Sequence, residues 1–213
     1  MYTFTEPLSL EGLLLSFLAV LLILVYLVYF FRRRKKILEL KKLPTVLIIG
    51  LPNTGRTFLL KTLSEGKPTF SDKLLNLDYV DLDHNGKLAA RILDHKAFSS
   101  SDQLIEKKLI EIVEDIRSID PLAVIGVIDV SKYSEPLEKQ VKFILRMKEF
   151  FKDKPFYIVV NKIDETSENK IKKIEKEFGK IYKIRWNSEK DVDILKRDLL
   201  ECLKNSNSKK KII

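Results

Sequence analysis

The residues most able to do chemistry form a glycine-bounded connection near residue 50. It reads Gly50-Leu-Pro-Asn53-Thr54-Gly55-Arg56-Thr57, the spacing of a phosphate-binding loop with arginine where that pattern has lysine. The glycines let the backbone turn its N–H groups toward phosphate oxygens, and a following helix would offer its positive end. The Thr57 hydroxyl can hold Mg²⁺. Arg56 keeps the charge of lysine on a wider, planar group. The alternative is a glycine-containing turn without a ligand.

A second motif, Asn161-Lys162-Ile163-Asp164, follows the apolar run 156–160. The Asp164 carboxylate can accept hydrogen bonds from two adjacent N–H donors of guanine, a pair that adenine does not offer. Lys162 can lay its methylene stem over the base, and Asn161 can tie this segment to the phosphate loop. The motif therefore predicts a site for GTP or GDP.

A third segment, Asn187-Ser188-Glu189-Lys190, resembles the Ser-Ala-Lys loop of GTP-binding proteins, whose backbone N–H faces the guanine oxygen. Three such segments in this order make coincidental turns a poor explanation. The predicted nucleotide-binding residues are Gly50, Asn53, Thr54, Gly55, Arg56, Thr57, Asn161, Lys162, Asp164, Ser188, Glu189 and Lys190.

The switch that would sense the terminal phosphate is expected in the segment from Asp78 to Gly86. In one register Asp81 ends a strand and holds Mg²⁺ through water, with His84 at the position of the switch glycine. In the other, Asp83 and Gly86 make the motif. We favour Asp81. Neither register puts glutamine beside the switch glycine position, so efficient intrinsic hydrolysis is not expected.

Thr69 is the candidate for the first switch, where a threonine hydroxyl closes on Mg²⁺. A calcium loop starting at Asp81 is a rival interpretation, but its twelfth position is Ile92 rather than glutamate. No Ser, His and Asp set or carboxylate pair predicts hydrolase chemistry, so no catalytic residue is assigned.

These motifs need a scaffold, and the apolar pattern supplies one. Strands are predicted over 45–50, 74–81, 123–129, 156–161 and 181–186, and helices over 57–63, 87–94, 104–117, 135–151, 168–178 and 192–203. This alternation predicts a doubly wound, mostly parallel α/β sheet with its ligand site at the carboxyl ends of the strands.

An uncharged, apolar run over 13–31 precedes this domain. As a helix it would reach about 28 Å, enough to cross a membrane. Five cations from Arg32 to Lys36 follow it, which orients its carboxyl side toward the cytosol. These and the three from Lys209 to Lys211 account for nearly all of the net charge of +9. A basic nucleic-acid-binding face is therefore not predicted, and a single cysteine excludes an internal disulfide.

The order of these features resembles the β subunit of the signal recognition particle receptor, a Ras/Arf-like small GTPase family. Supporting segments are Gly126-Val-Ile-Asp129-Val-Ser131, 138–145, and Asp81-Leu82 with Lys87-Leu88. The resemblance implies a P-loop NTPase domain at the endoplasmic reticulum membrane that binds GTP or GDP with Mg²⁺. It also implies recruitment of the receptor's α subunit, and through it the signal recognition particle, the ribosome and the translocon.

Under this interpretation the chain has five parts. Residues 1–11 are lumenal, 12–31 form the transmembrane helix, 32–43 a basic juxtamembrane linker, 44–204 the GTP-binding domain and 205–213 an unstructured basic tail. Two alternatives stay open: an Arf- or Rab-like trafficking GTPase, and a membrane scaffold that has lost its nucleotide.

Overall fold

The structure is a computed structural model that describes residues 10–67, 69–73, 75, 77–84, 87–95, 113–114, 116–132, 135–185 and 188–210. Among these, the side chains of residues 10, 83–84, 87–89 and 206–210 are not described. The chain divides into two units, residues 1–39 and 40–213.

The first unit is built on one long helix, α1 (Leu10–Leu40). Its large apolar side chains from Leu13 to Phe31 are exposed, so this unit offers them no interior. The helix is long and apolar enough to cross a membrane. It also continues through most of the segment predicted as a linker, because arginine, lysine, leucine and glutamate are strong helix formers.

The second unit contains a seven-stranded sheet in the order β2-β3-β4-β1-β5-β6-β7. Strands β4, β1, β5, β6 and β7 are parallel, and β3 and β2 extend the sheet in antiparallel fashion. The strands are β1 (Thr45–Ile49), β2 (Phe70–Asp72), β3 (Leu77–His84), β4 (Lys87–His95), β5 (Ala123–Asp129), β6 (Phe156–Asn161) and β7 (Ile181–Ile184). The predicted mostly parallel α/β sheet is confirmed.

One predicted element is wrong in type, because residues 87–94 form strand β4 rather than a helix. Apolar residues at three- and four-residue spacing suggested the helix, but Ala90, Ile92 and Leu93 are fully buried within the sheet. The sequence between β3 and β4 is Asn85-Gly86, a dipeptide that favours a two-residue hairpin connection. That local signal outweighs the periodicity. Residues 85 and 86 themselves lie outside the described residues.

Four further helices match predicted ones in type; the helix over 168–178 has the predicted ends, and the other three have shifted ends. They are α2 (Arg56–Leu63), α3 (Leu137–Phe150), α4 (Glu168–Phe178) and α5 (Glu189–Lys210). Helix α5 includes most of the tail predicted as unstructured from residue 205. The helix predicted over 104–117 lies mostly outside the described residues, although 113, 114 and 116–119 are helical.

Both faces of the sheet are covered. On one face, Leu59, Leu60 and Leu63 of α2 and three leucines of α5 share a buried cluster with residues of β1, β3, β4 and β5. On the other, α3 packs so closely on β5 that a Cβ on Gly126 would lie 3.1 Å from Ile144. This packing fixes the carboxyl ends of the parallel strands at one edge, where the loops that follow them meet.

Candidate nucleotide-binding site

The segment between β1 and α2 is a tight loop. Gly55 has a φ of 93° and Asn53 one of 62°, both in the left-handed region. A Cβ on Gly50 would lie 2.8 Å from the Val127 carbonyl oxygen, so glycine is needed there for close approach. The buried Thr54 hydroxyl donates to the Leu51 carbonyl at 2.9 Å. The loop is therefore tightly curved and held by close backbone approach and its own hydrogen bond.

Asn161 joins this loop to the second motif. Its Nδ2 donates to the Thr54 carbonyl at 3.0 Å across 107 residues of sequence, and the atoms are buried. A Cβ on Gly55 would overlap this amide nitrogen. The prediction that Asn161 ties the two segments together is confirmed.

Lys162 is held in a left-handed conformation, with a φ of 58°. Its backbone N–H donates to the Asn161 side-chain oxygen at 2.9 Å, and its Nζ pairs with Asp129 at 2.5 Å. The Asp129 side chain is fully buried at the end of β5 and also accepts from the Ser131 N–H. Such strain is characteristic of functional segments. Stacking of the Lys162 stem on a base stays a prediction.

The second and third motifs are neighbours because β6 and β7 pair, with Asn161 opposite Ile184. The Asp164 side chain is exposed in a short 3₁₀ helix, Ile163–Glu165. The pKa of Arg185 is raised, first by hydrogen bonding to Asp191 and to a smaller extent by the charge of Asp164. The carboxylate of the second motif therefore lies within electrostatic reach of the third.

Arg185 and Asp191, which the sequence reasoning missed, pair with each other from either side of the third motif. Arg185 donates to the Asp191 carboxylate through Nε and Nη2 at 2.9 and 2.8 Å. These bonds hold the pKa of Asp191 well below its usual range. The Ser188 N–H donates to the Arg185 carbonyl at 3.1 Å. Glu189 and Lys190 begin α5 and are exposed. The sequence signal that could have predicted this ion pair was an arginine and an aspartate on either side of the third motif.

Asp94 is a third residue that the sequence reasoning missed. It lies at the end of β4, which pairs in parallel with β1, and its partner in register is Ile48. Arg56 Nη1 donates to Asp94 Oδ1 at 2.7 Å and to the His95 carbonyl at 2.6 Å. Asp94 is therefore the acidic strand end beside the phosphate loop, the position that carries a metal-binding aspartate in P-loop NTPases. An apolar strand ending in aspartate was the signal, hidden by the predicted helix.

The expectation that Asp81 ends its strand beside the phosphate loop is wrong. Asp81 lies within β3 opposite Arg91, which is aligned with Thr45 at the start of β1. That row is roughly 16 Å along β1 from Gly50. Arg91 Nε and Nη2 pair with the Asp81 carboxylate at 2.6 and 2.9 Å. Asp81 thus forms an ion pair that joins β3 to β4.

The other switch candidates also lie away from the loop. His84 pairs with Lys87 at the far end of the β3–β4 ladder, so its expected place in the switch is wrong. Exposed Thr69 precedes β2, the edge strand, three strands and roughly 14 Å from β1. Asp81 and Asp83 are strand residues, which excludes the calcium-loop interpretation.

The described residues do not fit a Mg²⁺ site well. Thr57 is exposed in the first turn of α2 and offers one hydroxyl. The carboxylate that would complete the donor set, Asp94, is already paired with the Arg56 guanidinium. No group of three or more histidine, cysteine or acidic side chains arranged to hold a metal occurs in the described part of the chain.

Comparison with known proteins gives a consistent picture. Residues 105–164 match the family model of nucleolar GTP-binding protein 1 (NOG1). The chain is 31% identical over 166 residues to GTPase Obg of Persephonella marina, covering 67% of this chain and 44% of that one. It is 30% identical over 152 residues to an uncharacterized protein of Methanocaldococcus jannaschii, covering 65% of this chain and 40% of that one. These similarities support a P-loop GTPase.

The chain spans less than half the length of these curated relatives. Among solved structures, it is similar to a crystal structure of a mutation variant of SsGBP, with 18% identity and a TM-score of 0.46. That match covers 76% of this chain and 57% of the other. The family match includes the tetrapeptide Asn161 to Asp164 and the strand before it.

Proposed function

We propose that this chain is a guanine-nucleotide-binding protein of the Obg/NOG1 type, in which three loops at one sheet edge hold GTP or GDP. The observation that carries the proposal is the buried bond from Asn161 to Thr54, which joins the phosphate loop to the base-reading motif. The charge of Asp164 also acts on Arg185, which precedes the third motif. A nucleotide lying along this edge would meet phosphate ligands at one end and a guanine-specific carboxylate at the other.

The test is a titration of the full-length chain in detergent with GDP and ADP. Asp164→Ala removes the guanine-reading carboxylate, and we expect it to weaken GDP binding at least about tenfold, as loss of a charged hydrogen-bond pair does. The matched control is Glu165→Ala, which removes the adjacent exposed carboxylate of the same 3₁₀ helix. Equal binding of ADP, or full GDP affinity in Asp164→Ala, would contradict the proposal. No binding at all would favour the nucleotide-free scaffold.

Hydrolysis is expected to be slow without a partner. If Asp94 starts the switch, the sequence continues His95-Lys96-Ala97-Phe98, with alanine and phenylalanine where the switch glycine and glutamine stand. Glutamine positions the attacking water in Ras-type enzymes. The chain would therefore act through binding, with the nucleotide ordering a surface for a partner.

The apolar α1 supports a finer proposal, that the domain is attached to a membrane as an adaptor of the signal-recognition-particle-receptor β type. In that role it would hold the α subunit at the endoplasmic reticulum. Capture of the full-length protein from detergent extracts tests this. Recovery of the α subunit would support it, whereas recovery of vesicle components would favour the Arf/Rab-like alternative.

A further inference from the structure

Arg56, at the lysine position of the phosphate loop, is directed toward an acidic partner within the protein. Its Nη1 lies 2.7 Å from Asp94 Oδ1, and the two side chains are only 12% and 6% exposed. The same nitrogen donates to the His95 carbonyl oxygen at 2.6 Å. One guanidinium nitrogen therefore bridges a carboxylate and a carbonyl oxygen, the two kinds of oxygen that hard divalent cations prefer.

The charge around this bridge is already balanced. Arginine stays protonated in proteins, so Arg56 contributes one permanent positive charge against the negative charge of Asp94. His95 adds no charge at neutral pH, because its pKa is lowered to about 4, first by burial and then by the charge of Arg56. A divalent cation placed on Asp94 would have to displace the guanidinium or lie against it, and like charges repel strongly in such a desolvated place.

We propose that the Arg56 guanidinium takes the place beside Asp94 that a divalent cation takes in P-loop GTPases, so that guanine-nucleotide affinity in this protein does not depend on Mg²⁺. The inference rests on the proposed function, since it concerns the same site. A lysine there would present a compact, strongly hydrated ammonium on a flexible stem, without the planar guanidinium whose Nη1 bonds both oxygens. The arginine is therefore the residue that sets the metal requirement.

The experiment measures the dissociation constant of methylanthraniloyl-GDP by fluorescence, on the full-length chain in detergent and stripped of nucleotide. Each protein is titrated with Mg²⁺ in excess and with EDTA. For the wild type we expect the two constants to agree within about twofold. Arg56→Lys should free Asp94 for a metal and make binding about tenfold or more tighter with Mg²⁺ than with EDTA.

The matched control is Arg91→Lys. Arg91 forms the same kind of pair, with Asp81, with side chains 14% and 23% exposed, three residues before Asp94 on β4 and in register with Thr45 at the start of β1. It should keep the wild-type insensitivity to Mg²⁺. This control separates the effect on metal binding from a general effect of replacing arginine by lysine in a partly buried ion pair.

The outcomes are distinct. A wild-type affinity that falls about tenfold or more in EDTA overturns the inference and leaves guanine binding intact. Insensitivity of Arg56→Lys also overturns it, because arginine would then not be the cause. The wild-type ratio decides the matter if Arg56→Lys does not fold. Absence of GDP binding in both buffers overturns the proposed function, and the inference falls with it.

Discussion

Gly55 shows how strongly a single position constrains the site, because two independent requirements meet there. Its φ of 93° disfavours any side chain, and its Cα faces the Asn161 amide at a distance that leaves no room for a Cβ. Gly66 has a similar φ of 74° but nothing within 4 Å of its Cβ position. Substitutions at these two glycines therefore distinguish the effect of backbone strain from the effect of close approach.

We predict that Gly66→Ala costs about 1–2 kcal/mol of unfolding free energy, the usual penalty of the left-handed conformation. Gly55→Ala should cost more, because it also breaks the Asn161 contact, and it should abolish GDP binding. Urea unfolding and GDP titration of both variants give the comparison. Equal stability losses together with retained GDP binding in Gly55→Ala would contradict the geometry.

His95 makes the stability of the domain depend on pH. Its pKa is lowered to about 4 from 6.5, first by burial and then by Arg56. Between those values the unfolded chain binds more protons than the folded one, so stability falls as the pH drops through this window and is constant above it. We predict a loss of about 2 kcal/mol between pH 7 and pH 5.

Urea unfolding at these two pH values measures this loss, and His95→Gln should remove most of it. The pKa values of the Asp191 and Asp198 carboxyl groups are lowered from 3.8. These two groups therefore change the stability only below that pH, in a separate window. A wild-type curve that is flat from pH 7 to pH 5 would contradict the buried, neutral state of His95.

At the residue scale, the sequence revealed side chains whose role follows from local order. Gly55 belongs to the loop that follows β1, and Asn161 is the last residue of β6, so their meeting at one sheet edge follows from a parallel sheet alone. Asp94 was not predictable in the same way, since its role depends on β4 being a strand next to β1. Arg185 and Asp191 were missed because their pairing depends on the turn between β7 and α5.

At the element scale, the apolar pattern predicted the wrong element type for β4 and the right one for α1. In β4 the apolar spacing fits a helix, and only the Asn85-Gly86 dipeptide before it indicates the hairpin. In α1 the apolar run is so long that only a helix satisfies its backbone in an apolar environment. The helix then continues into the cationic segment, because nothing there ends it.

We predict that α1 holds the protein in a membrane. Leu22→Lys together with Ile23→Lys should release it, because each lysine at the helix centre costs about 2.5–3.5 kcal/mol of insertion free energy. The control is Leu38→Lys, since Leu38 is similarly exposed but lies among the cations beyond the apolar run. Carbonate extraction of membranes followed by sedimentation measures retention. Retention of the double variant, or release of the control, would contradict the prediction.

At the scale of the whole molecule, the two units differ in whether their apolar side chains are exposed or buried. Among the described residues, the large exposed apolar side chains lie in α1 except for Phe70 and Ile194, whereas the sheet unit buries most of its apolar residues between helices on both faces. The fold class followed from alternation of strands and helices. The strand order did not, because two antiparallel strands at one edge are set by pairing between β2, β3 and β4 rather than by any pattern within one strand.

The central claim is that three loops distant in the chain bind one guanine nucleotide together. Amide hydrogen exchange of the full-length protein, with and without GDP, tests this directly. The account predicts slower exchange at 50–57, at 161–164 and at 185–191 in the same titration, with the same midpoint. Protection confined to one of these segments, or three different midpoints, would contradict it.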